Sequence, residues 1–379
     1  MLMARKCQKL PAGCGSLSRI TPEHDSPADY RRRYFPEPAD PDNRMTNLLS
    51  TLLAERDWLL ADGGTGTGLF ARGLETGDAP ELWNIDYPDR IRDLHQEFVD
   101  AGSDIILTNS FGGNAMRLKL HNAQGRVYEL AAAAAKIARD VADAADRPVV
   151  VAGSMGPTGE LLFPVGSLSH EDARDAFAEQ ARGLADGGAD LLWIETMSSR
   201  EELQAAVEGA ASTGKPVVAT MTFDTAGKTM MGVAPEEASN FAGAMAVAPV
   251  GFGANCGLGA GENISSVVGV AKAIWPGAVV VAKANCGIPE WKGDGFVYTG
   301  TPEIMATYAR MARDAGARII GGCCGTRGEH LAAMKAAMED YAPGEPPTDE
   351  RIRDVLGETP PKPKVTPHGE APRRRRRRA

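Results

Sequence analysis

Three cysteines carry the most specific chemical signal in this 379-residue chain. Cys323 and Cys324 are adjacent within the segment Gly-Gly-Cys-Cys-Gly-Thr, and Cys256 lies upstream in Asn-Cys-Gly. Neighbouring cysteines rarely reach the geometry of a disulfide with each other, whereas the flanking glycines allow a turn that directs both sulfurs at one metal ion. The pattern predicts a metal site with three thiolate ligands and one open position.

Three thiolates form a soft ligand set that suits Zn²⁺, which we predict as the cofactor. Such a site has a net negative charge and is a poor Lewis acid for water. It can hold a fourth sulfur, because coordination lowers the pKa of a thiol and leaves the sulfur nucleophilic. The predicted substrate is therefore a thiol, and the predicted reaction is attack by its sulfur on an electrophile.

Short apolar segments alternate with segments of helical periodicity through most of the chain. The predicted strands are Trp58–Gly64, Asp104–Phe111, Pro148–Gly156, Asp190–Met197, Pro216–Phe223, Gly251–Gly257, Val279–Gly287 and Ala317–Gly325. Helices are predicted over Pro88–Ala101, Ser169–Gly188, Arg200–Thr213, Pro302–Gly316 and Gly328–Tyr341, among others. Nearly continuous apolar strands between helices indicate a parallel sheet of the α/β class, and eight such units predict a (β/α)8 TIM barrel.

A doubly wound open sheet is the alternative to the barrel. Such sheets often bind dinucleotides at a glycine-rich turn after the first strand, and residues 62–68 superficially offer one. That stretch lacks the G-x-G-x-x-G spacing, and no acidic residue ends the second strand as a ribose partner. The barrel is therefore the preferred prediction.

The two ends of the chain differ from its middle. Residues 1–44 and 343–379 are rich in Pro and charge and lack periodicity, which predicts disordered tails around a single domain over residues 45–342. Met45 opens a segment typical of a protein start, so the first tail is either real or a consequence of start-site choice. The second tail ends in six arginines, which we interpret as solvated charge of undefined role.

Composition limits the partners. A net charge of −9 argues against nucleic acid as a partner, and no segment has the length of a membrane-spanning helix. Six cysteines in so long a chain do not form a disulfide framework and favour a reducing cytoplasm. The expected partners are small molecules, and the sequence leaves a homo-oligomer open.

A barrel builds its active site from the carboxyl ends of its strands. Here the polar residues at those ends are Asp62, Asn109, Ser154, Glu195, Asn255, Cys256, Asn285, Cys286, Cys323 and Cys324. The three asparagines are expected to orient loops or ligands. A carboxylate that ends the apolar run before Glu195 is difficult to bury without a partner.

Six short motifs stand at these strand ends. They are Asp62-Gly63-Gly64-x-Gly66-Thr67, Thr108-Asn109-Ser110-Phe111-Gly112, Gly153-Ser154-x-Gly156-Pro157-Thr158, Glu195-Thr196, Asn255-Cys256 and Gly321-Gly322-Cys323-Cys324-Gly325-Thr326. Over roughly residues 55–340 the chain resembles the homocysteine S-methyltransferase family. The resemblance implies a (β/α)8 barrel, zinc held by the three cysteines but not Cys286, and transfer of a methyl group to homocysteine, giving methionine. It implies that Asp62 and Glu195 bind the homocysteine amino group.

The methyl donor is less constrained than the acceptor. Family members use betaine, S-methylmethionine, or methylfolate and methylcobalamin, and residues 80–84 and 282–289 resemble bacterial single-domain betaine enzymes. A quaternary ammonium donor such as betaine suits an aromatic cage. The candidate walls are Trp83, Phe111, Phe163, Phe223 and Trp291. Thr196 and Gly112 replace tyrosines of the animal betaine enzymes. This difference keeps open S-methylmethionine as the donor, or a separate corrinoid protein as donor partner. A zinc-holding subunit without enzymatic activity is a further alternative.

Overall fold

The computed structural model describes residues 47–292 and 295–357 of the chain. An eight-stranded parallel sheet forms its centre, so the predicted (β/α)8 fold is confirmed. The sheet strands are β1 Leu59–Leu60, β2 Ile105–Leu107, β3 Val150–Met155, β4 Leu191–Met197, β5 Val217–Met221, β6 Gly251–Cys256, β7 Val279–Ala284 and β10 Ala317–Gly322. Their order is β1-β10-β7-β6-β5-β4-β3-β2, and a parallel bridge between Ala61 and Ile105 joins β1 to β2 and closes the barrel.

Helices follow the strands and cover the outside of the barrel. The described α-helices are α1 Leu48–Glu55, α2 Thr65–Phe70, α3 Trp83–Asp86, α4 Pro88–Asp100, α5 Ala115–Leu118, α6 Val127–Ala144, α7 His170–Asp186, α8 Arg200–Ala211, α9 Pro235–Gly243, α10 Ala260–Lys272, α11 Pro302–Asp314, α12 Gly328–Met338 and α13 Asp349–Leu356. In the described part of the chain, none of these helices combines the length and apolarity needed to cross a membrane.

Local sequence explains where the long helices begin. The Ser169 side chain accepts a hydrogen bond from the Asp172 backbone N–H at the start of α7, and Thr301 caps α11 ahead of Pro302. These caps satisfy backbone donors that have no partner inside the helix, and a proline in the first turn loses no helical hydrogen bond. Both helices therefore start within one residue of the predicted positions.

Two apolar layers hold the barrel together. Inside it, Ile105, Val150, Trp193, Val281 and their neighbours from the other strands fill the space below the carboxyl ends. Outside it, a larger layer lies between the strands and the covering helices. Because both faces of every strand are buried, the strands have continuous rather than alternating apolar sequences.

Two strand features of the fold correct or extend the sequence expectations. The first strand is shorter than predicted, since regular pairing covers only Leu59–Leu60. A hairpin of β8 Pro289–Lys292 and β9 Gly295–Tyr298, which the pattern did not predict, follows β7. The hairpin ends beside the turn of the cysteine pair, because the Tyr298 ring lies against Gly325.

The predicted disordered tail over residues 343–379 is wrong in its first part. Thr348 caps α13, and Ile352 lies buried with 4% of its surface exposed, so the helix is held by both a cap and apolar contact. Its three apolar residues, Ile352, Val355 and Leu356, have helical spacing, but the segment is only eight residues long and otherwise charged, which gave too short a periodicity to predict this helix. The domain therefore extends beyond residue 342, while the predicted tail over 1–44 and residues 358–379 lie outside the described residues.

His95 of α4 makes stability sensitive to acid. The residue is fully buried, neither ring nitrogen has a hydrogen-bond partner among the described residues, and burial lowers its pKa to about 4. The unfolded chain takes up this proton near pH 6.5, so its contribution to stability is complete above that pH and is lost as pH falls towards 4. We expect urea titrations to show a loss of about 3 kcal/mol over this range that His95→Leu largely removes; the same slope in the variant would contradict this.

Candidate active site

The three predicted metal ligands converge at one mouth of the barrel. Cys256 ends β6, and Cys323 and Cys324 follow β10 directly. The three Sγ atoms all lie within 4.8 Å of one another, and all three side chains are partly exposed. The three sulfurs are therefore grouped closely enough to share one divalent ion, whose bonds to thiolate sulfur are about 2.3 Å long.

Backbone strain directs Cys256 towards the pair. Its φ is +61°, in the left-handed region that non-glycine residues seldom adopt, and Gly257 follows at +83°. Such strain is often found where a side chain must be aimed at a site. This backbone conformation places the Cys256 thiol at the barrel mouth, where it lines the cavity.

The turn that carries the cysteine pair is fixed from several sides. The Cys323 N–H donates to the Ala284 carbonyl at 2.7 Å, and the Cys324 N–H donates to Asn285 Oδ1 at 3.0 Å. Gly325 has φ of +80°, and a Cβ there would lie 2.3 Å from the ring of Tyr298. The glycine is therefore required both by the backbone conformation and by the close approach of this ring.

Hydrogen bonds link the three thiols to one another. Hydrogen bonds from Cys323 and Cys324 lower the pKa of Cys256, and the same contacts raise the pKa values of the two donors. The Asn285 side-chain N–H₂ also donates to Cys256 Sγ at 3.5 Å. This arrangement stabilises one thiolate and places two further thiols against it, so the residues fit a cation that binds soft sulfur ligands.

A cavity of about 320 Å³ opens beside the thiols. Two buried ionisable residues next to the sulfurs, Glu195 and Lys283, contribute to its lining, and the buried Asp62 lies behind Lys283. These three residues are called the charged floor below. Charges that line a cavity of this size, next to reactive sulfurs, suit a small polar substrate.

Asp62 lies where the sequence predicted but is already engaged. One carboxylate oxygen accepts from the Leu107 N–H at 2.7 Å, and the other accepts from Lys283 Nζ at 2.7 Å. Burial raises the pKa of Asp62, and the Lys283 ammonium opposes that effect. Sequence reasoning missed Lys283, although a lysine within the apolar run of β7 was a signal that could have found it.

Glu195 is the less engaged carboxylate of the charged floor. One of its oxygens accepts from Ser154 Oγ at 2.5 Å, and the structure thereby brings together two of the predicted site residues. Burial raises the pKa of Glu195 to about 7, while the nearby Lys283 charge acts in the opposite direction. A carboxylate in this state gains strongly from an incoming cation.

Asparagines hold the loops around the cavity. The Asn109 side chain lines the cavity and donates to the Pro80 carbonyl at 2.7 Å. Asn255 donates to Thr196 Oγ1 at 2.7 Å and accepts from Thr220 Oγ1 at 2.8 Å. Asn109 therefore ties the β2 loop to the loop before α3, and Asn255 ties β4 to β5 and β6.

The structure does not assemble the predicted aromatic cage from its described side chains. Phe111 lines the cavity, but Trp83 is buried against Tyr87 beneath the Arg90 guanidinium and is not among the lining residues. Phe223 is buried in the core and Phe163 is 73% exposed, again outside the lining. The side chain of Trp291 lies outside the described residues.

Cys286 is not a member of the group formed by the sulfurs of Cys256, Cys323 and Cys324. It is 1% exposed, and burial raises the pKa of its thiol to about 12. Such a thiol stays protonated and behaves as a small apolar side chain.

A comparison with known families assigns the chain. The family model described as homocysteine S-methyltransferase matches residues 59–338, which include every strand of the barrel. The chain belongs to the homocysteine S-methyltransferase family. Two methionine synthases, from Mycobacterium leprae and Mycobacterium tuberculosis, are each 33% identical to it, over 81% and 77% of this chain. The chain spans about a quarter of the length of these two relatives.

A solved structure resembles the fold of this family member. The metallated form of the homocysteine methyltransferase MmuM from Escherichia coli aligns with a TM-score of 0.63 and 24% identity, covering 76% of this chain and 99% of that one. A methyltransferase from Methanosarcina mazei aligns with a TM-score of 0.52 and 15% identity, covering 78% and 98%. Both likenesses support the barrel architecture.

Proposed function

We propose that the protein is a zinc-dependent enzyme that methylates the thiol of homocysteine to give methionine. The convergence of Cys256, Cys323 and Cys324 within 4.8 Å is the observation that carries the proposal. When bound there, zinc would lower the pKa of the substrate thiol and keep its sulfur nucleophilic. The free state of the three thiols suits a reducing compartment such as the cytoplasm.

The residues around the sulfurs bind and position the substrate. Glu195, held by Ser154, accepts the homocysteine ammonium, which would otherwise lose its hydration without compensation. Asp62 contributes its charge from behind Lys283 rather than by a free oxygen. Asn109 keeps the β2 loop against the cavity, so that the sulfur and the methyl group meet at a fixed angle.

Betaine is the methyl donor that we propose, with dimethylglycine as the second product. Phe111 and the buried Glu81 both line the cavity, and an aromatic face beside a carboxylate suits a quaternary ammonium group. Glu81 accepts from the Gly112 N–H at 2.6 Å and has no ion pair among the described residues. The Glu81 carboxylate therefore favours a donor whose nitrogen is cationic before methyl transfer and neutral afterwards.

The likeness to methionine synthases favours a second candidate. In that case a methylated corrinoid or folate on another protein or domain would supply the methyl group, and S-methylmethionine remains a further small-molecule donor. A donor panel decides between them: the zinc-loaded protein is incubated with homocysteine and, separately, betaine, S-methylmethionine, methylfolate or a methylated corrinoid. We expect methionine with betaine. Turnover only with the corrinoid would overturn the betaine assignment but keep homocysteine as the acceptor.

A further inference from the structure

Lys283 is the basic residue of the charged floor. It projects from β7 into the barrel, with 2% of its side chain exposed, and its Nζ lies 5.5 Å from the centre of the Trp193 ring. Among the described residues its hydrogen-bond acceptor is Asp62 Oδ1, at 2.7 Å. An ammonium group has three N–H donors, so this buried cation can bind a further acceptor.

A ligand in the cavity can supply this further hydrogen-bond acceptor for Lys283. Lys283 lines the cavity together with Glu195 and Cys323. The basic residues Arg117 and His121 also line the cavity, in the neighbourhood of Glu81. The cavity therefore has two opposite charges beside the sulfurs, those of Lys283 and Glu195, and a separate group of ionisable side chains around Glu81.

An amino acid brings two opposite charges to the same end of a short molecule. Glu195 can accept hydrogen bonds from the ammonium group of the amino acid. The α-carboxylate of the amino acid also loses its hydration on entering a buried site, and it needs a hydrogen-bond donor instead. A buried ammonium with unused donors meets that need, and charge-assisted hydrogen bonds of this type are stronger than neutral ones. The floor thus matches a zwitterion rather than a simple thiol.

We propose that Lys283 binds the α-carboxylate of the thiol substrate and so makes this site specific for an amino-acid thiol. The inference rests on the proposed function and adds to it a residue for the second charge of homocysteine. Lys283 then bridges two carboxylates, that of Asp62 and that of the substrate. Asp62 serves as the anchor that keeps the Lys283 ammonium at the floor.

The test compares two thiols on the zinc-loaded protein. Homocysteine and 3-aminopropane-1-thiol have the same sulfur, chain length and amine, but the second lacks the carboxylate. Calorimetry gives the Kd of each thiol, independently of any methyl donor, for wild type, Lys283→Met and Arg117→Met. We expect Lys283→Met to weaken homocysteine binding about 10- to 100-fold and to change the Kd of the aminothiol less than about threefold. Arg117→Met should leave the ratio of the two Kd values unchanged.

A second variant protects the test against misfolding. Lys283→Met alone leaves the Asp62 carboxylate buried and unpaired, whereas Asp62→Asn with Lys283→Met removes both charges. The double variant should show the same selective loss of homocysteine affinity. Equal losses for both thiols, or a wild type that does not distinguish them, would overturn the role of Lys283. Selective binding without turnover on any donor would instead overturn the proposed reaction and leave the carboxylate site standing.

Discussion

Replacing Cys323 with alanine is expected to abolish zinc binding at stoichiometric level and to lower methionine formation more than about 100-fold. Changes to groups that merely support metal ligands often cost 10- to 100-fold in affinity or activity, so loss of a ligand should cost at least as much. With only two sulfurs left, the proposed site can neither complete its ligand set nor hold the substrate thiolate in the same field. Metal analysis after dialysis and an assay at saturating zinc measure the two effects.

Cys286 supplies the matched control for this experiment. It is a buried thiol on the same rim, outside the group formed by Cys256, Cys323 and Cys324. Cys286→Ala should keep zinc near one ion per chain and alter activity only a few-fold, since it removes a small apolar contact. Full zinc occupancy in Cys323→Ala, or equal zinc loss in both variants, would refute the assignment of these three ligands.

Replacing Glu195 with glutamine is expected to raise the KM for homocysteine and to lower kcat/KM about 30- to 1,000-fold, with zinc content unchanged. The amide keeps the shape of the side chain but removes the negative charge, which leaves the substrate ammonium buried without an ionic partner. A variant that loses zinc in parallel with activity would place Glu195 in a structural role instead.

The same residue predicts a pH dependence. Because burial raises the pKa of Glu195 to about 7, the carboxylate is progressively protonated below that pH and loses its attraction for an ammonium. The kcat/KM for homocysteine should therefore fall as pH decreases through 7 in wild type. In Glu195→Gln, the pH profile of kcat/KM should lose the decrease near pH 7. If the decrease stays unchanged in this variant, it belongs to another group. Glu202→Gln, which alters another buried carboxylate hydrogen-bonded to Thr158, serves as a control that should retain it.

Much of the fold could be predicted because it depends on local patterns. The apolar runs of the strands and the caps at Ser169 and Thr301 act over a few residues, so helix starts were placed correctly. The hairpin β8–β9 and helix α13 were missed, because short elements are stabilised by contacts with distant parts of the chain rather than by their own periodicity.

The candidate site shows the same division. The barrel rule places residues at strand ends, so Asp62, Ser154, Glu195 and the cysteines could be named from the sequence. Trp83 could not be placed, because its loop position left its direction open. It turns out to be buried against Tyr87 rather than in the cavity.

The sequence by itself determined the repeat of strands and helices and the candidate metal ligands, since both depend only on residue type and spacing. Only the tertiary structure decided how the charges of the floor are shared. Lys283 and Asp62 are 221 positions apart, and they meet because barrel closure brings β1 and β7 to either side of β10. That closure engages Asp62, leaves Glu195 for a cation and gives Lys283 an unused donor, because buried charges must find partners wherever the fold provides them.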